Sequence, residues 1–181
     1  MTDSRPVGVE QGTQRAQAFL HLADDRLDAS YRLARAILRD PAEAEDATHD
    51  ALIQAWRKWS TLRDPARFDQ WFDRILVNTC RDRLRSARRQ PRDISEEVVV
   101  DLETEDRFAQ ADLRDTLTAG LAALPPEQRV VVALRYYRDL PLDEIANVLD
   151  IPVGTVNSRL HYALKRLHTA IEVVDHKGTI R

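Results

Sequence analysis

Apolar residues recur at three-to-four spacing over most of this chain, and the later stretches of that pattern open on prolines. Asp40-Pro41 and Asp64-Pro65 pair an N-cap carboxylate with a proline at the first helical position, where no N–H is required. Pro126 and Pro141 precede two later stretches in the same way. Glycine is scarce, with 5 in 181 residues, so few other positions can interrupt a helix. The pattern predicts an all-α fold.

The spacing places one helical region over about 14–39, interrupted near Asp24-Asp25. A second runs from Pro41 to Trp59, with Ala44, Ala47, Ala51, Leu52 and Ala55 on one side. A third runs from Pro65 to Arg89 and carries Phe68, Trp71, Phe72, Ile75, Leu76 and Leu84. Together they make a first small bundle over 14–90, preceded by a disordered tail over 1–13. The stretch 91–106 loses the period and is strongly acidic, so it reads as a flexible linker; Val98-Val99-Val100 has strand propensity, but a connector fits better. Periodicity resumes at about Arg107 and continues to Ile171, with breaks at Pro125-Pro126, Leu140-Pro141 and Ile151 to Gly154. That is a second bundle over 107–172, followed by a tail over 173–181. Val130-Val131-Val132 favours strand by propensity, and its helical surroundings outweigh it.

Charge divides the chain in the same places. The formal total is −3, which excludes a uniformly basic coat. Arg74 to Arg92 holds seven arginines and one aspartate, a net of +6; Asp93 to Asp115 holds nine acids and two arginines, a net of −7. Gly154 to Arg181 has a net of +3. Most charge runs are solvated helix faces, but two basic segments flanking an acidic connector are a common arrangement for meeting phosphates. No uncharged stretch exceeds the 11 residues from Thr116 to Pro126, too short to cross a bilayer, and the polar N-terminus lacks the apolar core of a signal peptide. A cytoplasmic location is expected. The single cysteine, Cys80, excludes an internal disulfide framework and a multi-cysteine zinc site.

The most specific signal is LDEIANVLDIPVGTVNSRLHYALKRL, from Leu142 to Leu167. Ile145, Ala146 and Leu149 give a short helix an apolar stripe, Asp150 to Gly154 supplies a turn, and Val156, Leu160, Leu164 and Leu167 line the buried side of a second helix. Ala146 is small where the two helices cross, and Gly154 can take a positive φ or open the second helix. This is a helix-turn-helix pattern. The second helix exposes Thr155, Asn157, Ser158, Arg159, His161, Tyr162, Lys165 and Arg166, types that hydrogen-bond base edges and phosphates in a major groove. A plain helical hairpin with a polar outer face is the rival. The turn, the small residue and the basic face together favour DNA.

Leu124-Pro125, Glu127-Gln128-Arg129, Asp143-Glu144-Ile145-Ala146, Gly154-Thr155-Val156 and Ser158-Arg159-Leu160 resemble region four of bacterial sigma factors of the extracytoplasmic-function group. Asp40-Pro41, Ala44-Glu45-Asp46-Ala47, His49-Asp50-Ala51 and Trp56 resemble region two of the same family. The likeness covers about residues 20–172. It implies two helical domains that bind bacterial core RNA polymerase and promoter DNA, with no catalytic residues, cofactor, metal or small-molecule substrate, and with an anti-sigma factor as a further partner.

Residue by residue, the resemblance makes the helix from Thr155 to Arg166 the reader of the minus-thirty-five element, with Tyr162 standing where many members have arginine. Asp46, His49, Asp50, Ile53 and Trp56 become the polymerase-docking surface, with His49 in place of a common glutamine. The third helix becomes the surface for the minus-ten element, duplex and melted strand alike: Arg67, Phe68, Arg74, Asn78, Arg81, Arg85 and Arg88. Melting needs flat side chains against unpaired bases, worth about 1–3 kcal/mol per base, and cations for the displaced phosphates. Trp71 and Phe72 are assigned to packing, whereas Phe68 stands open between core and base contact. The loop from Ser60 to Arg67 would hold a flipped base, and the acidic linker would thread the RNA exit path.

Two other readings fit the residues less well. Glu45 and His49, four apart, would need a second Glu/His set to hold a metal, and none is present. A conventional helix-turn-helix regulator would bind an operator without polymerase, and the arginine-rich aromatic third helix speaks against it.

Overall fold

The computed structural model describes the backbone of residues 7–89 and 119–178 and the side chains of 13–89 and 119–171. Among these residues there is no strand. The helices are α1 (Val7–Asp24), α2 (Leu27–Leu38), α3 (Pro41–Lys58) and α4 (Phe68–Arg89), then α5 (Pro126–Tyr137), α6 (Leu142–Leu149) and α7 (Val153–Gly178). Short 3-10 turns, Trp59–Thr61 and Pro65–Arg67, join α3 to α4, and a helical segment over 119–123 precedes α5.

The proline-marked starts form by the expected chemistry. Arg39 closes α2 in the left-handed region at φ 71°, and its N–H donates to the carbonyl of Arg35 at 2.8 Å. Asp40 then caps α3 by accepting from the N–H of Glu43 at 3.0 Å, with Pro41 in the first turn. Asp64 accepts from the N–H of Ala66 at 3.0 Å and starts a 3-10 turn, so α4 begins at Phe68 rather than Pro65. Residues 7–13, expected as tail, are the opening turns of α1; their sequence carries no apolar stripe to mark a helix. The Val130 to Val132 run is helical and buried. Val98 to Val100 lie outside the described residues.

Alanines on α3 set the first bundle's dimensions. Ala44, Ala47, Ala51 and Ala55 are fully buried, and with no side chain beyond Cβ they let α2 and α4 pack close on either side. Leu33, Ile37, Leu76 and Val77 fill the space between. An aromatic cluster closes one end: Phe68 stacks on Phe72 at 5.6 Å and meets Phe19, Trp59 and Trp71 at 5.9–6.1 Å. The second bundle does not stand apart. α2 packs on α5 and α4 on α6, and Val130, Val131, Leu134, Ile145, Val148 and Leu149 belong to the same continuous core as the first bundle. Leu124, Val132 and Ala163 form a smaller cluster beneath α7.

Candidate nucleic-acid and polymerase interfaces

α6 and α7 make the helix-turn-helix. Asp150 takes the left-handed conformation, φ 54° and ψ 50°, and its N–H returns to the carbonyl of Ala146. The sharp reversal therefore sits at an aspartate, one of the few side chains that tolerate this region. Gly154 has no positive φ; it lies in the first turn of α7, where an added Cβ would meet nothing within 4 Å. α7 buries Val156 and Ala163 completely and Leu160 and Leu167 partly, whereas Leu164, expected inside, is 40% exposed. The helical period explains the correction: from Val156, Ala163 lies about 20° round the helix and Leu164 about 80°. Asn157, Ser158, His161, Tyr162, Lys165 and Arg166 are exposed, and Thr155 and Arg159 half-buried. Ser158 donates its hydroxyl to the carbonyl of Thr155 at 3.1 Å, leaving oxygen lone pairs outward as acceptors.

On α4 and the turn before it, Arg67, Arg74, Asn78, Arg85 and Arg88 are exposed and Arg81 half-buried. Phe68 is 1% exposed, so it cannot stack on a base; it is the centre of the aromatic cluster and belongs to the core. Cys80, on the inner face of the same helix, is fully buried, and burial pushes its thiol up to about 12. It is a packing residue rather than a reactive one.

On α3, Asp46 and His49 are exposed and Asp50 is half-buried. Ile53 and Trp56 form an exposed apolar edge, with Trp56 resting edge-on against Phe19 at 5.2 Å. Arg83 reaches across from α4 into this acidic row. Its guanidinium lies 2.7 Å from Glu43, 2.6 Å from Asp50 and 3.8 Å from Asp46. Burial pulls its pKa down, but the hydrogen bonds and charges of Asp50 and Glu43 outweigh that and leave it raised. Arg83 is indistinguishable in sequence from its neighbouring arginines; only a fold that sets α4 against α3 singles it out.

Two family profiles match the chain: Sigma-70 region 2 over residues 22–90 and Sigma-70, region 4 over residues 120–169. The RNA polymerase sigma-E factor of Streptomyces avermitilis is 34% identical over 150 residues, covering 83% of each chain. The ECF RNA polymerase sigma factor SigW of Bacillus subtilis is 31% identical over 173 residues, covering 89% of this chain and 91% of its own. The chain belongs to the extracytoplasmic-function group of the sigma-70 family. It is a promoter-directing sigma factor of RNA polymerase, and the conventional-regulator reading is not favoured. Its fold is that of the sigma factor RpoE in complex with the anti-sigma factor NepR from Bartonella quintana, with a TM-score of 0.65 and 23% identity over 87% of this chain and 96% of that one. It is also that of CnrH in complex with the cytosolic domain of CnrY, with a TM-score of 0.63 and 24% identity over 88% and 95%.

In this sigma factor the first bundle is region two and the second is region four, and part of the basic face of α4 lies at the junction between them. Arg81, Arg85 and Arg88 of α4 and Arg159 of α7 line one cleft, with Glu127 as its acid. Arg74 lies 3.8 Å from Asp150, Arg88 3.8 Å from Glu127, and Arg81 donates to the carbonyl of Leu149 at 3.5 Å. These exposed pairs are weak. A further contact is buried: Arg138, after α5, lies 2.7 Å from Asp73 of α4. Sequence reasoning singled out neither residue, because nothing local marks partners 65 positions apart.

Among the described residues, no group of three or more His, Cys, Asp or Glu side chains is placed to hold a metal, and no helix is long and apolar enough to cross a membrane.

Proposed function

We propose that the exposed face of α7, from Asn157 to Arg166, reads the minus-thirty-five element in the major groove. The single observation that carries this is the tight turn at Asp150, which lifts that polar face clear of the core while Val156 and Ala163 anchor it. Arg67, Arg74, Asn78, Arg81, Arg85 and Arg88 hold the minus-ten element and the displaced strand, with Phe68 supporting them from within. Asp46, His49, Asp50, Ile53 and Trp56 dock on core polymerase, the acids steering and the apolar edge supplying buried area. The protein acts in the cytoplasm and performs no bond chemistry of its own. An anti-sigma factor holds it in reserve; one structural relative described above was solved with such a partner, which supports that reading.

The test is run-off transcription with purified bacterial core polymerase on a pool of promoter fragments. Specific initiation that requires the added protein supports the assignment, and the enriched fragments report both elements. Absence of initiation and of core binding, together with tight binding to duplex DNA by the protein alone, would reject it.

A further inference from the structure

Arg83 stands apart from the arginines of α4 assigned to DNA. It lies about 180° round the helix from Arg74 and about 160° from Arg81 and Arg85, turned toward α3. What it meets there is charge of one sign. The first three turns of α3 carry Glu43, Glu45, Asp46 and Asp50, with no lysine or arginine among them. Asp46 and Asp50, four apart, repel along the helix. Arg83 brings a single positive charge into that row, 2.7 Å from Glu43, 2.6 Å from Asp50 and 3.8 Å from Asp46.

Pairs between acids as open as these add little to stability. Buried alanines and a hydrogen bond of 3.3 Å from Gln54 to Thr79 seat α3 on α4 independently of them. Asp46 remains 70% exposed and Asp50 49%, so both carboxylates are open to an incoming partner. Arg83 is only 24% exposed. The docking surface thus carries a cation within itself, set deeper than the acids it neutralises.

We propose that Arg83 is a built-in counterion of the polymerase-docking row: it competes with the partner's cations for Asp46 and Asp50 and slows capture of core polymerase. The proposal rests on the docking assignment of α3 made above. A partner cation that hydrogen-bonds the outer side of Asp46 comes to about 7 Å from the guanidinium, inside the screening length of about 8 Å at physiological salt. Charge at the rim of an interface acts mainly on the association rate and its salt dependence. Arg83 therefore sets how fast the chain is captured, and the exposed apolar edge of Ile53 and Trp56 sets how long it stays.

The experiment is label-free association of the full chain with immobilised bacterial core polymerase, followed at several salt concentrations. Arg83→Gln should associate about fivefold faster than the parent at low salt, with a steeper salt dependence. Its dissociation rate should change by less than about twofold. Arg83→Lys keeps the charge without the fork and should stay at the parent's rate. Arg83→Met, which keeps the aliphatic stem, is a second neutral variant, and thermal melts of all three establish that they fold. A purely structural clamp behaves differently: every substitution, lysine included, speeds dissociation and leaves the salt slope alone. That result, or association no faster in either neutral variant, overturns the proposal.

Asp46→Asn and Asp50→Asn separate this inference from the docking assignment beneath it. Each should slow association. If both leave polymerase binding unchanged, the docking assignment falls and the counterion role falls with it. If they weaken binding while Arg83→Gln and Arg83→Met gain no speed, the docking assignment stands and the counterion role alone is rejected.

Discussion

Arg129 donates from Nε to the main-chain carbonyl of Ile37 at 2.8 Å, tying the first turn of α5 to the last turn of α2. The carbonyls at the end of α2 lack helical partners and carry the negative end of its dipole, so a cation there satisfies both needs. Burial first, then the charges of Arg39 and Arg88, pull the Arg129 guanidinium down to about 10, which still leaves it charged at neutral pH. It also donates to the carbonyl of Ala122 at 3.3 Å. Arg129→Met should cost about 1–3 kcal/mol by stranding the buried carbonyl of Ile37, and Arg129→Lys, which keeps the charge without the fork, should recover only part of that. Urea denaturation of the three proteins checks it.

Asp73 gives a pH signature. Burial raises its pKa from 3.8 against the opposing pull of Arg138 and, more weakly, Arg26. The folded protein thus binds this proton more tightly than the unfolded chain does. The contribution is fully present below the ordinary aspartate value and is lost as pH rises from there through the raised one. Asp73→Asn should flatten that part of the stability-versus-pH curve. Parallel curves for the two proteins would contradict the assignment.

Phe68 and Asn78 separate core from surface on one helix. Phe68→Ala should cost about 3–5 kcal/mol and lower the melting temperature sharply. Asn78→Ala, at an exposed position, should change stability by no more than about 0.5 kcal/mol. If α4 carries the minus-ten strand, Asn78→Ala weakens open-complex formation while Phe68→Leu largely preserves it; promoter-opening assays on the folded variants decide.

The exposed arginines of α4 should appear in salt dependence. Replacing Arg74, Arg85 and Arg88 together with glutamine should reduce the slope of log affinity against log salt for single-stranded DNA by about 2, at about 0.7 per phosphate contact. A titration from low to moderate salt measures it, and an unchanged slope removes these residues from the DNA surface.

Base choice at the upstream element should follow α7. Exchanging Ser158 and Tyr162 should alter preference there by about 1–3 kcal/mol per affected contact, read by promoter selection from a randomised pool. Unaltered selection would place recognition elsewhere on the helix.

Most of the architecture is legible in the sequence, for local reasons. Asp40-Pro41 and Asp64-Pro65 carry their own capping chemistry, and Val130 to Val132 follow the helical period around them. The misreadings have equally local causes. Of the two roles open to Gly154 it takes the second, opening α7, while the left-handed residue of the turn is Asp150. Leu164 passed for core because a leucine at i+8 resembles one at i+7 until the angle is counted, and the small Ala163 holds that place. Phe68 was ambiguous because an aromatic serves equally as base platform and as core, and burial alone decides. Arg83, Arg129 and the Asp73–Arg138 pair stayed hidden because their partners are remote in the chain.

The buried alanines of α3 have one further consequence. With Ala44, Ala47, Ala51 and Ala55 pressed against its neighbours and Arg83 bridging to Glu43 and Asp50, α3 has no room to slide or roll on α4. Under the assignments proposed above, the row that meets the enzyme and the row that meets DNA are then two edges of one rigid gauge. Where the polymerase seats the first edge, the second falls at a fixed offset, and the base pair chosen for opening is measured out by the width of an alanine seam.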